Sequence, residues 1–206
     1  MAAATHATSS PPKKLLFLGH SFVRRASQHL FSQSQPNLYL PTATHEVMFQ
    51  FRGGAHISDI FQLFRQSGNF NPDIVVIDMG TNDLFNNLST PSHSLALQLF
   101  NLARHLVDHF RVQHVIILEV LPRTTWGRYG APLSFSSRVV RFNSMVKALV
   151  YRHKLTSHVS FWFHKGIPSN VSQFLVDGCH LNPTGMVKYI KSVRRAILLQ
   201  TRALTP

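Results

Sequence analysis

Two segments more than 150 residues apart hold the side chains needed for acyl transfer. L-G-H-S places Ser21 at the end of an apolar run, and D-G-C-H places Asp177 and His180 in one short stretch. A hydroxyl nucleophile, a base and a carboxylate that orients the base form the kit of a serine hydrolase, and that kit is defined by geometry and not by order along the chain. The three-residue spacing lets one loop carry both partners. Asp177 can accept from one ring nitrogen of His180 and so leave the other to face Ser21.

Two further segments offer hydrogen-bond donors for a developing oxyanion. Gly53-Gly54 gives a tight turn with a bare backbone N–H, and Gly80-Thr81-Asn82-Asp83 brings a side-chain amide, Asn82. Ser21 also stands where a helix begins, and the partial positive charge there favours an alkoxide or oxyanion. Taken singly, these residues are equally at home as an N-cap serine, a glycine turn and an Asn/Asp turn. Asp83 can cap its turn or brace the loop through backbone N–H groups. Cys179 is a rival nucleophile with no separate base. Asp78, Asp83 and Asp177 could ligate a divalent cation, but they lack a recognisable loop spacing.

Positioning these groups requires a sheet whose loops converge. Apolar runs at Lys14–Gly19, Glu46–Phe51, Ile74–Met79, His114–Val120 and Val159–Phe163 read as strands. Helical periodicity fills Ser21 to about Phe31, Ile57–Phe64, Leu95–Phe110, Val139–Tyr151 and Pro183 to about Leu199. Strands apolar on both faces, alternating with helices, belong in a parallel sheet covered on both sides. Right-handed crossovers then gather Gly19–Ser21, Gly53–Gly54, Gly80–Asp83 and the 177–180 loop at one sheet edge. The chain reads as one domain over 14–202, with flexible tails at 1–13 and 203–206.

Composition narrows the setting. The 206 residues carry 21 Lys and Arg against 8 Asp and Glu, a formal charge of +13. After Leu121 the sole acidic residue is Asp177. Such a field attracts polyanions, anionic lipid surfaces or acidic substrates. In the last helix Val187, Ile190, Val193 and Ile197 form an apolar face, while Lys188, Lys191, Arg194 and Arg195 form a basic one that could meet nucleic acid or anionic membrane. The apolar run near the start is too short for a signal peptide, and no stretch reaches membrane-spanning length. A single cysteine excludes an internal disulfide framework. An intracellular, cytoplasmic location is expected.

The segments Leu18–Phe22, Gly53–Gly54, Val75–Leu84 and Asp177–Gly185 resemble, in order, the blocks of the SGNH hydrolases, also called GDSL-type esterases. The resemblance spans about Lys14 to Leu199. It implies a three-layer α/β/α flavodoxin-like sandwich with a five-stranded parallel sheet, and no metal or organic cofactor. It also implies a triad of Ser21, His180 and Asp177 and an oxyanion hole of Ser21, Gly54 and Asn82. The family's first block is usually G-D-S, whereas His20 stands here in the middle position, which implies a different loop geometry or substrate choice. The basic balance and L-G-H-S-F-V-R-R are also similar to the esterase-type domains of some animal LINE-like retroelements. The expected function is a serine esterase acting on small acyl or acetyl esters. The alternative is a catalytically weak fold that binds nucleic acid or anionic membrane through its basic C-terminal half.

Overall fold

In the computed structural model, residues 11–86, 88–126, 129–130, 133–154, 158–167 and 171–203 are described. The N-terminal and C-terminal tails fall mostly outside this range, although Lys13 and Ala203 belong to regular elements. The chain runs β1 (Lys13–Gly19), α1 (Ser21–Ser32), β2 (His45–Phe51) and a 3-10 turn (Ile57–Asp59) that leads into α2 (Ile60–Arg65). It continues through β3 (Ile74–Asp78), α3 (Thr81–Asn86), α4 (Ser92–Phe110) and β4 (His114–Leu118). A small antiparallel ribbon, β5 (Thr125–Trp126) and β6 (Tyr129–Gly130), precedes α5 (Leu133–Arg152). β7 (Val159–Trp162) and α6 (Pro183–Ala203) complete it.

Strands β2-β1-β3-β4-β7 form a five-stranded sheet in that order, parallel throughout. Alternation along each strand divides the core. Leu15, Phe17, Ile74, Val76, Ile116 and Leu118 face α1 and α6, while Leu16, Leu18, Val75, Ile77, Val115 and Ile117 face the α2–α5 side. Each such fully buried aliphatic side chain contributes about 1.5–3 kcal/mol. Because both faces are covered, the central positions of β1, β3 and β4 are apolar on both sides, which is why these strands read as continuous runs.

The chain winds from β1 outward to β2 and then returns to β3 on the other side of β1. That reversal opens a crevice at the carboxyl ends of β1 and β3, where ligands bind in open α/β sheets. Gly19 sits at this point, and its backbone packs tightly. A Cβ added there would lie 2.2 Å from Val23 Cγ2 and 3.0 Å from the Asp78 carbonyl oxygen. β1 can therefore turn directly into α1 only without a side chain at that position.

Three elements differ from the sequence expectation. Thr81–Asp83 does not form a plain turn but begins the short helix α3, directly after Gly80. α5 begins at Leu133, ahead of the expected Val139. α6 buries Met186, Tyr189, Ile190, Val193, Ala196 and Ile197, whereas Val187 is exposed. Glycine and proline near the first two starts masked helical segments that tertiary packing stabilises. Gly19→Ala should lower stability by about 1–3 kcal/mol through overpacking. In urea unfolding this appears as a fall in midpoint at constant m; a midpoint equal to wild type would contradict the close approach.

Candidate active site

The 177–180 loop is organised around one carboxylate. Asp177 Oδ1 accepts from the backbone N–H groups of Cys179 (2.9 Å) and His180 (2.6 Å), and Oδ2 accepts from His180 Nδ1 at 2.7 Å. With Nδ1–H committed to Asp177, Nε2 carries the lone pair. Burial pushes the Asp177 carboxyl up, but the His180 ring and the two N–H groups outweigh it and bring it down to about 2. Its contribution to stability is therefore present above the ordinary carboxylate range and lost as pH falls through about 2. His180 is lowered from its ordinary value, first by burial and against the raising effect of Asp177, with Arg25 and Arg123 also lowering it. The ring is therefore mostly neutral at pH 7, the state a general base needs.

Gly178 makes this loop possible. Its φ is +72°, and a Cβ there would collide with the hydroxyls of Thr124 (2.5 Å) and Thr125 (2.3 Å). The loop after β4 grips it in return. Thr124 N and Thr125 N donate to the Gly178 carbonyl at 2.7 and 3.1 Å, and Thr125 Oγ1 donates to the Asp177 carbonyl. The threonines that follow β4 thus hold the loop that carries the base.

The glycine turn and the β3 loop are also tied together. Asn82 Nδ2 donates to the Ala55 carbonyl at 2.8 Å, and Asn82 Oδ1 lies 3.5 Å from Arg123 Nη2. Both contacts fix the amide orientation and leave one N–H of Nδ2 uncommitted by them. Asp83 accepts from Ile57 N at 3.1 and 3.2 Å and lies 3.4 Å from His56 Nδ1, so it braces the turn through backbone and ring. Gly54 has φ +74°, which suits glycine.

His20 faces the interior. It is 1% exposed, accepts from Phe22 N on Nδ1 (3.4 Å) as the N-cap of α1, and brings Nε2 to 3.2 Å from Asp78 Oδ1. The Tyr189 hydroxyl, from α6, donates to Asp78 Oδ2. Burial drives the Asp78 carboxyl up; the His20 ring and then Tyr189 act the other way and hold it below its ordinary value. Tyr189 itself is raised well above 10 by burial and by Asp78, so it remains a donor. The residue that departs from G-D-S is thus a buried strut between the start of α1 and the end of β3.

Ser21, Gly53, Gly54, Asn82, Asp177 and His180 all line one cavity of ≈ 410 Å³, together with Arg24, Arg123 and Cys179. The structure therefore gathers every expected site residue at one edge. Arg24 and Arg123 were not anticipated. Arg123 follows β4 at the same edge as the other loops, a signal available in L-P-R, and Arg24 lies one turn beyond Ser21. Burial raises the Cys179 thiol. The three aspartates considered as cation ligands separate into different networks. Among the described residues the His/Cys/Asp/Glu cluster close enough to share an ion is Asp177, Cys179 and His180, whose first and last members are hydrogen-bonded to each other. Another serine–histidine contact, His164 Nδ1 to Ser192 Oγ at 3.2 Å, is 3% and 4% exposed and closed to substrate.

Comparison with known proteins agrees with this arrangement. A family model described as GDSL-like Lipase/Acylhydrolase family matches residues 18–188. The chain belongs to that family. This GDSL-like protein is accordingly a serine-type hydrolase of esters. No curated protein matches it. Among solved structures it is similar to a GDSL-like lipase from Bacteroides thetaiotaomicron, with 18% identity over 91% of this chain and 89% of that one and a TM-score of 0.72. An acetylxylan esterase from Geobacillus stearothermophilus is similar at 16% identity over 91% and 94%, with a TM-score of 0.61. Identities this low speak for the fold alone.

Two outcomes follow for the GDSL-like site. Asp177→Asn removes the interaction that raises His180, so the His180 titration midpoint should fall further below its ordinary value in NMR; a midpoint that rises would contradict the geometry. His20→Asp, which writes G-D-S into the chain, places a second carboxylate beside buried Asp78. It should destabilise by about 3–5 kcal/mol at pH 7, with part of the loss recovered by adding Asp78→Asn. Equal stability of His20→Asp and wild type in urea unfolding would exclude the strut.

Proposed function

We propose that the protein hydrolyses small esters by a two-step mechanism with Ser21 as nucleophile, His180 as general base and Asp177 as its orienter. His180 Nε2 takes the proton from Ser21 Oγ as the oxygen attacks the ester carbonyl. Negative charge then gathers on the carbonyl oxygen, and the donors are the Ser21 and Gly54 N–H groups and Asn82 Nδ2. Each such donor is worth about 3–4 kcal/mol at this step. The C–O bond breaks as His180 returns its proton to the leaving alkoxide. Water, deprotonated by the same ring, then attacks the acyl-enzyme and releases the acid.

The observation that carries this reading is the Asp177–His180 pair. The carboxylate is fixed by two backbone N–H groups, and the ring it orients lines the same cavity as Ser21. Short acyl or acetyl groups fit best, because among the described residues no aliphatic side chain, phenyl ring or indole lines the cavity. A long acyl chain would find no apolar wall among the described residues to cover it.

The other reading, a polyanion-binding module with little activity, has less behind it. His20 is turned into the core. Of the four basic residues on α6, Lys188 lies over the Phe174 ring (5.2 Å) and Arg194 donates to the Tyr39 carbonyl (3.2 Å). Lys191 and Arg195 remain exposed. Among the described residues, no helix is long and apolar enough to cross a membrane.

Ser21→Ala should reduce p-nitrophenyl acetate turnover by about a thousandfold or more, with the fold unchanged by circular dichroism. Equal turnover by wild type and variant would refute the assignment.

A further inference from the structure

The cavity that holds Ser21 carries more positive charge than acyl transfer requires. Arg24 and Arg123 both line it, against a single carboxylate, Asp177, that is already bound to His180. Arg123 is 3% exposed and reaches Asn82, so one guanidinium is built into the wall. Arg24 is different. It stands on α1 one turn beyond Ser21, is exposed, and among the described residues forms no ion pair with a carboxylate.

Its position is set by the glycine turn. A Cβ built on Gly53 would lie 3.9 Å from Arg24 Nη1, with nothing else within 4 Å. The guanidinium thus reaches across to the Gly53–Gly54 turn at the mouth of the cavity. By contrast, Arg52, on the same turn, is ion-paired with Asp59. A planar fork of N–H donors without an acceptor among the described residues, held one helical turn from a nucleophile, matches an oxyacid anion in size and charge. Ser21 and Arg24 are three residues apart on one helix face, so their Cβ atoms stand about 5–6 Å apart. Because both side chains line the same cavity, an ester that carries an anionic group beyond its carbonyl can meet both.

We infer that the site selects esters bearing a second, anionic oxyacid group, a carboxylate or a phosphate, which Arg24 holds while the ester carbonyl meets Ser21. The assignment rests on the proposed esterase reading and adds the substrate class to it. Arg123 supplies a fixed positive background behind the anion, and Arg24 supplies the direct contact. No chemical step is added, because the anion is bound and not transformed.

The test uses matched esters that differ only in carboxylate against carboxamide. On the alcohol side these are 4-acetoxybenzoate and 4-acetoxybenzamide. On the acyl side they are the p-nitrophenyl hemiester of adipic acid and its terminal amide. In at least one pair kcat/KM for the anion should exceed that for the amide by about tenfold or more at low salt. Arg24→Gln should cut that ratio by about fivefold or more. Gly53→Glu, whose side chain points at Arg24 into open space, should cut it similarly by occupying the guanidinium.

Ratios near or below one in both pairs would overturn the inference. So would a ratio that Arg24→Gln leaves unchanged while all esters slow together, since Arg24 would then act on the oxyanion itself. If the wild type hydrolyses none of the four esters, the esterase reading fails separately. The anion site is then judged by calorimetry with 4-hydroxybenzoate and adipate on the Ser21→Ala protein. Binding of either that weakens by about fivefold or more on adding Arg24→Gln upholds it; absence of binding by both, or binding insensitive to Arg24, overturns it.

Discussion

The parallel pairing of β1 with β3, with β2 on the far side of β1, is the constraint from which the rest of the site is built. Gly19 and Asp78 are register partners at the ends of these two strands, and both the nucleophile loop and the Asn82 loop leave the sheet just beyond them. A bare α-carbon at Gly19 lets α1 begin immediately. Asp78, capped by His20 from one side and Tyr189 from the other, fastens that beginning to β3 and to α6. A buried carboxylate is costly unless its lone pairs are met, and here a ring N–H and a hydroxyl meet them. The same three residues therefore secure the sheet edge and the helix start on which Ser21 stands.

Around that anchor the site is assembled from loops that hold one another more than they hold the sheet. The Thr124–Thr125 segment grips Gly178, and Asp177 grips the backbone that follows it. Asp83 holds Ile57 and His56, while Asn82 holds Ala55. Apart from the local Asp177 contacts, these ties join segments far apart in sequence, so Asn82 and the 177–180 loop are fixed before substrate arrives. Preorganised donors of this kind are worth more than donors in water, because no reorientation is needed as charge develops. The basic wall adds a field of fixed sign to the same space.

Much of this was legible in the sequence, for identifiable reasons. Strands buried on both faces leave unbroken apolar runs, so β1, β3 and β4 could be read within one or two residues, and their parallel order followed from the alternation with helices. Ser21, Asn82, Asp177 and His180 could be read because each lies in a short segment beside a strand end or helix start. The partners of His20 could not. Its contact with Asp78 spans most of the length between two strands, and nothing in the spacing of either residue announces it. Tyr189 was likewise hidden: it lies off the face of Val187, Ile190, Val193 and Ile197, and spacing along α6 does not announce a hydroxyl aimed at Asp78. Arg24 and Arg123 were hidden among 21 basic residues, where only their position at the cavity sets them apart.

The central claim is that Ser21 is a nucleophile activated by His180. An activity-based fluorophosphonate tests it without any guess about substrate, because the probe needs only an activated hydroxyl in an open cavity. Labelling of the purified protein, mapped to Ser21 by peptide mass spectrometry and abolished in His180→Ala with the fold intact, is the predicted result. Labelling that persists in His180→Ala, or that maps to a residue other than Ser21, would contradict it.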